Sequence, residues 1–357
     1  MLKIRKGLIV FLALGLSVSY GQDLKESLRR LLKDNATSYV QPVGDALGTN
    51  LNTNWFHRGN LHHFLGFDVG VKLSLVMIPD SVKTFNFNLG DQQMAFALNP
   101  ITGTNDTIML SYSDIYYGSN TEMPTIASDE SRTMAANPSH ITDVLVDSLN
   151  ARGLPGENFR AAIANAAAEI PDFTLKGLGL ASVPFGVPQV SVGLPGGMEV
   201  TARFLPKLNL PKIGDKLGKV DLLGLGVRMS LDQYIPIPMF PFTINLYGNY
   251  QKIGIGDVLT AKSTSYGVQV GKSINLLVIA FGVYANAGFE TSSFDLDYTY
   301  QRGDVEVPVK LSLDGPSGTD MGAGVWFRIV PLTYISVGVT KSPTSTAYTA
   351  GIGLSLR

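Results

Sequence analysis

Cysteine is absent from all 357 residues, which excludes a disulfide scaffold, thiol catalysis, cysteine-based zinc sites and a lipidated N-terminal cysteine. Charge is also scarce. Asp, Glu, Lys and Arg make up 16% of the chain, against roughly 25% in soluble domains, and the formal net charge is −1. Without a basic excess there is no electrostatic footprint for a phosphate backbone, so no nucleic-acid partner is expected. No apolar run after residue 21 reaches the ~18 residues of a membrane-spanning helix. Glycine is plentiful instead, at 38 residues.

The first 21 residues read as a secretory signal peptide. Lys3, Arg5 and Lys6 form the basic start, an apolar run follows from Gly7 to Val18, and Ser19-Tyr20-Gly21 supplies small residues at the cleavage positions. Removing the three basic residues from 28 leaves 25 against 29 acidic groups. Residues 22–46 are expected to form an N-terminal helix and periplasmic segment, with Leu24, Leu28, Leu31 and Leu32 on one helical face.

From residue 47 the period changes from helical to alternating. Phe67, Val69, Val71, Leu73, Leu75 and Met77 interleave with Asp68, Gly70, Lys72 and Ser74; the pattern recurs around Leu223–Leu231, Leu277–Phe289, Met321–Ile329 and Tyr348–Leu356. These runs exceed the ~5–6 residues of an average soluble strand and match the ~9–11 that cross a bilayer. The expected fold is all-β: an antiparallel transmembrane barrel over 47–357. Fourteen strands are predicted, at 47–57, 64–78, 83–97, 186–193, 198–205, 220–231, 241–251, 258–270, 275–289, 292–300, 305–313, 319–329, 333–341 and 346–357. With both termini periplasmic, Pro79-Asp80-Ser81, Leu194-Pro195-Gly196-Gly197, Gly271-Lys272-Ser273, Gln301-Arg302-Gly303-Asp304 and Val330-Pro331-Leu332 are tight periplasmic turns. The connection Asp232 to Pro241 is long for that side.

Residues 98–185 break the alternation and form a long extracellular or plugging insertion, too long for an idle turn. It holds two helical segments, one after Ser139 as N-cap with Ile141, Val144, Leu145 and Leu149 on a face. The other carries Phe159, Ala162, Ile163, Ala166 and Ile170 and ends at Pro171.

The terminal residues Thr349-Ala350-Gly351-Ile352-Gly353-Leu354-Ser355-Leu356-Arg357 resemble the C-terminal assembly signal of bacterial outer-membrane barrels, although an aromatic residue usually ends it. Together with leader and strand pattern, the chain resembles the outer-membrane β-barrel proteins of Gram-negative bacteria. Val190–Pro206 and Tyr39–Gly59 resemble segments of an exported barrel family without an assigned function. More distantly, fourteen strands behind a leading segment are similar to the long-chain fatty-acid transporters of the outer membrane. Their Asn-Pro-Ala motif is missing: Ile101 follows Asn99-Pro100, and Ser139 follows Asn137-Pro138. The resemblance implies outer-membrane localisation after export, contact with lipid, and an assembly machinery that engages the C-terminal strand.

No catalytic set emerges. No Gly-x-Ser-x-Gly elbow is present, and the Gly224/Gly226 and Gly322/Gly324 pairs lie within strands rather than before helices, so they admit bulky lumen groups instead of phosphates. Of four histidines, His57, His62, His63 and His140, the first three cluster beside Trp55, but no carboxylate stands at a ligand spacing; the three read as polar loop residues at the outer end of the first hairpin rather than a metal site. Neither an enzyme nor a cofactor is indicated. Asp68, Lys72, Glu199, Arg203, Arg228, Asp320 and Arg328 fall on faces opposite the apolar stripes and are lumen-facing candidates, as are Tyr247, Tyr284 and Trp326. Two readings of the charges stand: a selectivity ring, or paired charges holding a plug, the second favoured because buried charges are normally paired. The aromatic trio lines an apolar ligand path or fills space. The leading functional reading is porin-like passive transport or binding of small molecules, hydrophobic ones among them. Its rival is a non-transporting structural or cell-surface interaction barrel, and a soluble exported β protein is the third.

Overall fold

The computed structural model describes residue 31 and residues 33–356 except 91–92, 104, 209–218, 235–240, 257–258, 277–278, 303–304 and 331. The leader and most of the predicted 23–34 helix lie outside the described residues. The chain divides into two compact units, one of Gln41–Asp80 with Leu180–Arg357, the other of Gln22–Val40 with Ser81–Gly179. Helix α1, Lys33–Asn52, contributes to both.

The first unit is a closed antiparallel barrel. Strand β1, Phe67–Met77, pairs on one side with β8, Ser182–Leu194, and on the other with β16, Thr346–Leu356. Between them run β9 (Met198–Leu208), β10 (Val220–Ser230), β11 (Thr243–Ile255), β12 (Leu259–Asn275), β13 (Ala280–Arg302), β14 (Val305–Val330) and β15 (Thr333–Lys341). The barrel therefore has ten strands rather than fourteen. Two of the predicted strands, 47–57 and 83–97, are not in it. Two more disappear because 292–300 continues 275–289 within β13, and 305–313 continues into 319–329 within β14. Asp314-Gly315-Pro316 looks like a turn but is a bulge, where the β13–β14 register shifts between Thr291 and Ser293. Proline lacks the ladder donor, so it is accommodated at such a break.

This topology relocates two predicted turns. Leu194–Gly197, the end of β12, the start of β13, and Val330 with Leu332 lie at the end that holds the C-terminus, and the predicted turn Gly271-Lys272-Ser273 is no turn, because β12 runs through it to Asn275, paired with β13. Pro79-Asp80-Ser81 and, of the predicted turn Gln301-Arg302-Gly303-Asp304, the described Gln301 and Arg302 lie at the opposite end, where the 78–181 insertion also leaves and returns.

Alternation sorts the side chains as expected. The described members of the predicted apolar stripes face outward, with Val69, Leu75, Leu225, Val283 and Ile352 exposed, and Val268 of β12 and Val337 of β15 are exposed beside them. The stripe has edges. Near the C-terminal end it is bounded by Phe67, Phe281 and Phe327, and towards the other by Phe204, Tyr250, Tyr266, Phe289 and Tyr348, all exposed. Ile274 pairs with Phe281 and Tyr266 with Phe289, so the band is nine residues deep on β13, whereas on β12 the exposed Lys272, 5.6 Å from the Phe242 ring, interrupts it between Val270 and Ile274. At ~3.4 Å per residue and ~45° tilt that is about 20 Å. Beyond it the outward positions turn polar: Lys252, Lys262, Asp295 and Lys310 are exposed. A soluble sandwich would bury the stripes, so the third reading fails.

The second unit is built of short pieces. The predicted strand 83–97 is here, as β2 (Thr84–Asn86) paired with β5 (Glu122–Pro124) and β3 (Gln93–Ala97) paired with β4 (Thr107–Ser111); β6 (Ser131–Met134) pairs with β7 (Phe173–Lys176). After the one-turn helices α2 (Asn99–Thr102) and α3 (Tyr112–Ile115) come α4, Pro138–Ala151, and α5, Gly156–Ala168. They pack through Ile141, Leu145, Leu149 and Ile163. Helix α4 begins two residues earlier than predicted: Asn137, not Ser139, is the N-cap and accepts from the His140 amide, ahead of Pro138 in the first turn. Hydrogen bonds from Thr84 and Arg132 hold the exposed Glu122 carboxyl below its ordinary pKa, whereas burial pushes the Tyr116 phenol up to about 12.

Candidate functional site

The barrel interior is filled by its own chain. Residues 47–57, predicted as the first strand, instead end helix α1 and begin an irregular segment inside the barrel that runs to Gly66. Helix α1 enters against β13 and β14. A Cβ on Gly48 would lie 2.3 Å from Ser292 Oγ and 2.6 Å from Pro316, so only glycine permits that approach. Around it the inward faces are apolar rather than polar, with Phe185, Leu222, Ile253, Phe294 and Leu313 buried. Of the insertion 98–185, expected as a cap or plug, residues 98–179 fall in the other unit and 182–185 begin β8; the lumenal segment lies within 41–66 instead, up to the buried His62.

Below the helix the wall binds the plug backbone carbonyl by carbonyl. Arg203 Nη2 donates to Thr53 O (3.1 Å), Gln189 Nε2 to Trp55 O (2.9 Å), Gln269 Nε2 to Phe56 O (3.1 Å), Arg228 Nη1 to Arg58 O (2.6 Å) and Asn245 Nδ2 to Gly59 O (2.6 Å). An irregular backbone cannot satisfy its own carbonyls, and in a buried setting each unmet one is costly. In the other direction, Asn54, at φ 58°, bridges the strand carbonyls of Leu73 and Ala350 at 2.9 Å each.

The plug aromatics fit the same wall. Trp55 lies on the glycine floor of β10, where a Cβ on Gly224 would come within 2.8 Å of the indole, and the Arg203 guanidinium covers it at 4.0 Å. The glycine pair thus admits a bulky lumen group, as its place in a strand suggested. Phe56 sits 4.6 Å from the Arg228 guanidinium and 5.7 Å from the Tyr247 ring.

Charge is neutralised around Glu199. Its Oε1 accepts from Arg228 Nη2 at 2.6 Å, and its Oε2 from both the backbone N–H and Nδ1 of His62, at 3.0 and 2.8 Å. That contact sets the proton of His62 on Nδ1. Asp68 lies 3.7 Å from His62 Nε2, and Lys72 donates to His57 Nδ1 at 2.7 Å while His57 stacks on Tyr334 at 4.2 Å. His57 and His62 are therefore buried plug residues, not loop residues at the rim of a hairpin; His63 alone of the three is exposed, and His140 stacks on Tyr117 in the other unit. Among the described residues no group of three His, Asp or Glu side chains could hold a metal ion.

All ten lumen candidates face inward, and they fall into three sets. Asp68, Lys72, Glu199, Arg203 and Arg228 surround the plug. Tyr247, Tyr284 and Asp320 border a small cavity beside Asn52–Phe56. Trp326 and Arg328 border a larger one, about 280 Å³, with His57, Arg58, His62 and Tyr334 near the C-terminal end. Composition and alternation gave no weight to Gln189, Asn245, Gln251 and Gln269, which hold the plug or orient Arg203; inward amides at every second position were the available signal.

A sequence profile described as a family of unknown function, DUF6588, matches residues 1–356. The chain belongs to that family. No curated protein matches this DUF6588 chain. Among solved structures it is similar to the outer-membrane protease OmpT of Escherichia coli, at 6% identity over 81% of this chain and 94% of that one, with a TM-score of 0.28. It is also similar to the toluene transporter TbuX of Ralstonia pickettii (10% identity, 88% and 94% covered, TM-score 0.25). The N-terminal β-barrel domain of Pseudomonas aeruginosa OprF matches at 14% identity over 38% and 87%, with a TM-score of 0.21. At such TM-scores none of these bears on the role of the DUF6588 chain, and its fold rests on its own strand pairing. The likeness to fatty-acid transporters gains nothing from them, and ten strands remove the count on which it stood.

Proposed function

We propose that this DUF6588 protein is an outer-membrane barrel that is closed to solutes and serves to anchor and display the 81–179 unit for interaction at the cell surface. The observation that carries this reading is the run of wall side chains bonded to the plug carbonyls of Thr53, Trp55, Phe56, Arg58 and Gly59. A pore has no use for donors spent on its own backbone. The exposed apolar band between two aromatic belts supports the membrane setting, since lipid-facing bands of ~25 Å with such belts are the mark of these barrels. Three of the four connections beside the C-terminus are short, the one between β10 and β11 being longer, and with the much longer insertion opposite they support a periplasmic C-terminal end, with the closing strand β16 the one offered to an assembly machinery.

One observation favours a second reading, in which a small polar solute binds without passing through. The 280 Å³ cavity near the C-terminal end, with Arg58, His62, Arg328 and Tyr334 on its walls, has room for one. Planar-bilayer recording separates both readings from transport. The protein inserted from detergent is expected to show no conductance steps in symmetric KCl, whereas reproducible steps from the unmodified chain would overturn a closed barrel.

A further inference from the structure

Not all of the lumen charge is neutralised. Inside the barrel, among the described residues, Arg228 pairs with Glu199, and His62 lies against Glu199 and Asp68 as an ion pair only when protonated; no such contact reaches Asp320 or Glu290, which are 6% and 2% exposed. Glu290 accepts from Ser342 Oγ, and Asp320 Oδ2 from Asn286 Nδ2 at 3.3 Å. These two carboxylates are two positions from a shared cross-strand pair: Gly288 of β13 lies opposite Asp320 of β14, and Glu290 opposite Gly318.

Around them oxygen atoms converge on space that two glycines leave open. A Cβ placed on Gly288 would lie 2.5 Å from the Tyr247 hydroxyl and 3.0 Å from Asp320 Oδ1. One placed on the neighbouring Gly322 would lie 2.6 Å from Asn286 Oδ1 and 3.0 Å from Thr340 Oγ1. The cavity there has a volume of about 30 Å³ and is bordered by Asn52 of the plug and Asn249 of β11 as well as Asp320. That exceeds the ~10–15 Å³ of free space a single water needs.

Its unmet groups share one character. Asp320 Oδ1, Asn52 Oδ1 and Asn249 Oδ1 are all buried without a hydrogen-bond partner, and all three are acceptors. The amide orientations are set from the other side, since Asn52 Nδ2 donates to Thr291 O at 3.3 Å and Asn249 Nδ2 to Ser265 Oγ at 2.7 Å. Asn52 and Asn249 are 8% and 6% exposed. Buried acceptors that meet no donor, beside carboxylates that meet no cation, call for a positive ligand rather than an anion or an apolar molecule. Carboxylate, amide and hydroxyl oxygens are the ligands of hard cations, not of soft ones.

We propose that Asp320, with Asn52, Asn249, Asn286 and Tyr247 around it and Glu290 supplying further charge, forms a lumenal site for one hard cation, of the calcium type, that ties the plug to β11, β13 and β14. Asn52 makes it a joint between plug and wall. The site does not depend on whether the barrel conducts.

Equilibrium dialysis of the full-length, detergent-solubilised protein against radioactive calcium, after stripping with EDTA, tests it. About one equivalent per chain is expected, with Asp320→Asn weakening binding at least tenfold and Asn249→Asp strengthening it. Parallel titrations with magnesium and sodium identify the preferred ion. No uptake of any of the three would overturn the site, as would calcium uptake that Asp320→Asn leaves unchanged. If Asp320→Asn fails to fold, the Asn249→Asp variant decides: an affinity equal to or below that of the unmodified chain overturns the site.

Discussion

Arg228→Ala is expected to destabilise the folded barrel by about 3–5 kcal/mol, the cost of breaking a buried ion pair from one side. Arg228 and Glu199 are 2% and 1% exposed, and the substitution leaves the Glu199 carboxylate with His62 as its sole remaining hydrogen-bond partner. The same change strips donors from Arg58 O and Gln269 Oε1. Urea titration in lipid vesicles, followed by the fluorescence of Trp55 and Trp326, the two tryptophans of the chain, measures it. Combining Arg228→Met with Glu199→Gln should recover much of the loss, because removing both charges leaves nothing unpaired. A selectivity ring facing open water would behave differently: losing one solvated charge there costs ~1 kcal/mol or less.

Val268→Arg is the second large effect, expected at up to about 2–4 kcal/mol, because Val268 points outward in the apolar band between Tyr266 and Val270 and an arginine there must enter hydrocarbon. Lys262, six residues away on the same face of β12, lies past Tyr266 and beyond the belt. Lys262→Ala should stay within about 0.5 kcal/mol. The contrast between the two positions reports the membrane boundary itself. In a water-soluble barrel both would be ordinary surface substitutions, and their equality in the same urea titration would contradict a lipid-facing band.

Period-two alternation carried nearly all of the wall into view. It assigned Asp68, Lys72, Glu199, Arg203 and Arg228 to the interior and their neighbours to the outside, because a strand leaves a side chain only two directions. It failed where one pattern has two physical causes. Leu47, Thr49, Leu51, Thr53 and Trp55 alternate as a strand would, yet Thr49 through Asn52 are helical. Their polar groups are met by the barrel rather than by solvent: Thr49 bonds Ser342 and Asn50 bonds the Val183 carbonyl. A lumenal helix thus loses the amphipathic signature that water imposes on a surface helix. The strand count failed for a local reason, since Gly315-Pro316 reads as a turn wherever its surroundings are unknown and becomes a bulge only because β13 continues beside it.

The partition of labour inside the lumen was half legible. Paired charges holding a plug were the favoured of two readings for these residues, and 98–185 was the segment offered as either cap or plug. Length made that insertion conspicuous, whereas residues 41–66 spread four leucines, Trp55, two phenylalanines and three histidines among Asn, Thr and Gly without a helical or a full strand period. The carbonyl contacts that seat the plug involve its backbone, which sequence does not display at all.

The absence of cysteine allows the central claim to be tested by one cross-link. Thr53 Oγ1 of the plug lies 2.9 Å from Thr340 Oγ1 of β15, close enough for sulfur atoms at these positions to bond. In the Thr53→Cys, Thr340→Cys double variant, purified from membranes without reductant and alkylated after denaturation, nearly all thiols should be found joined, with a gel mobility that changes on reduction. Two free thiols, both open to alkylation in the native protein, would place residues 41–66 outside the lumen and contradict the account.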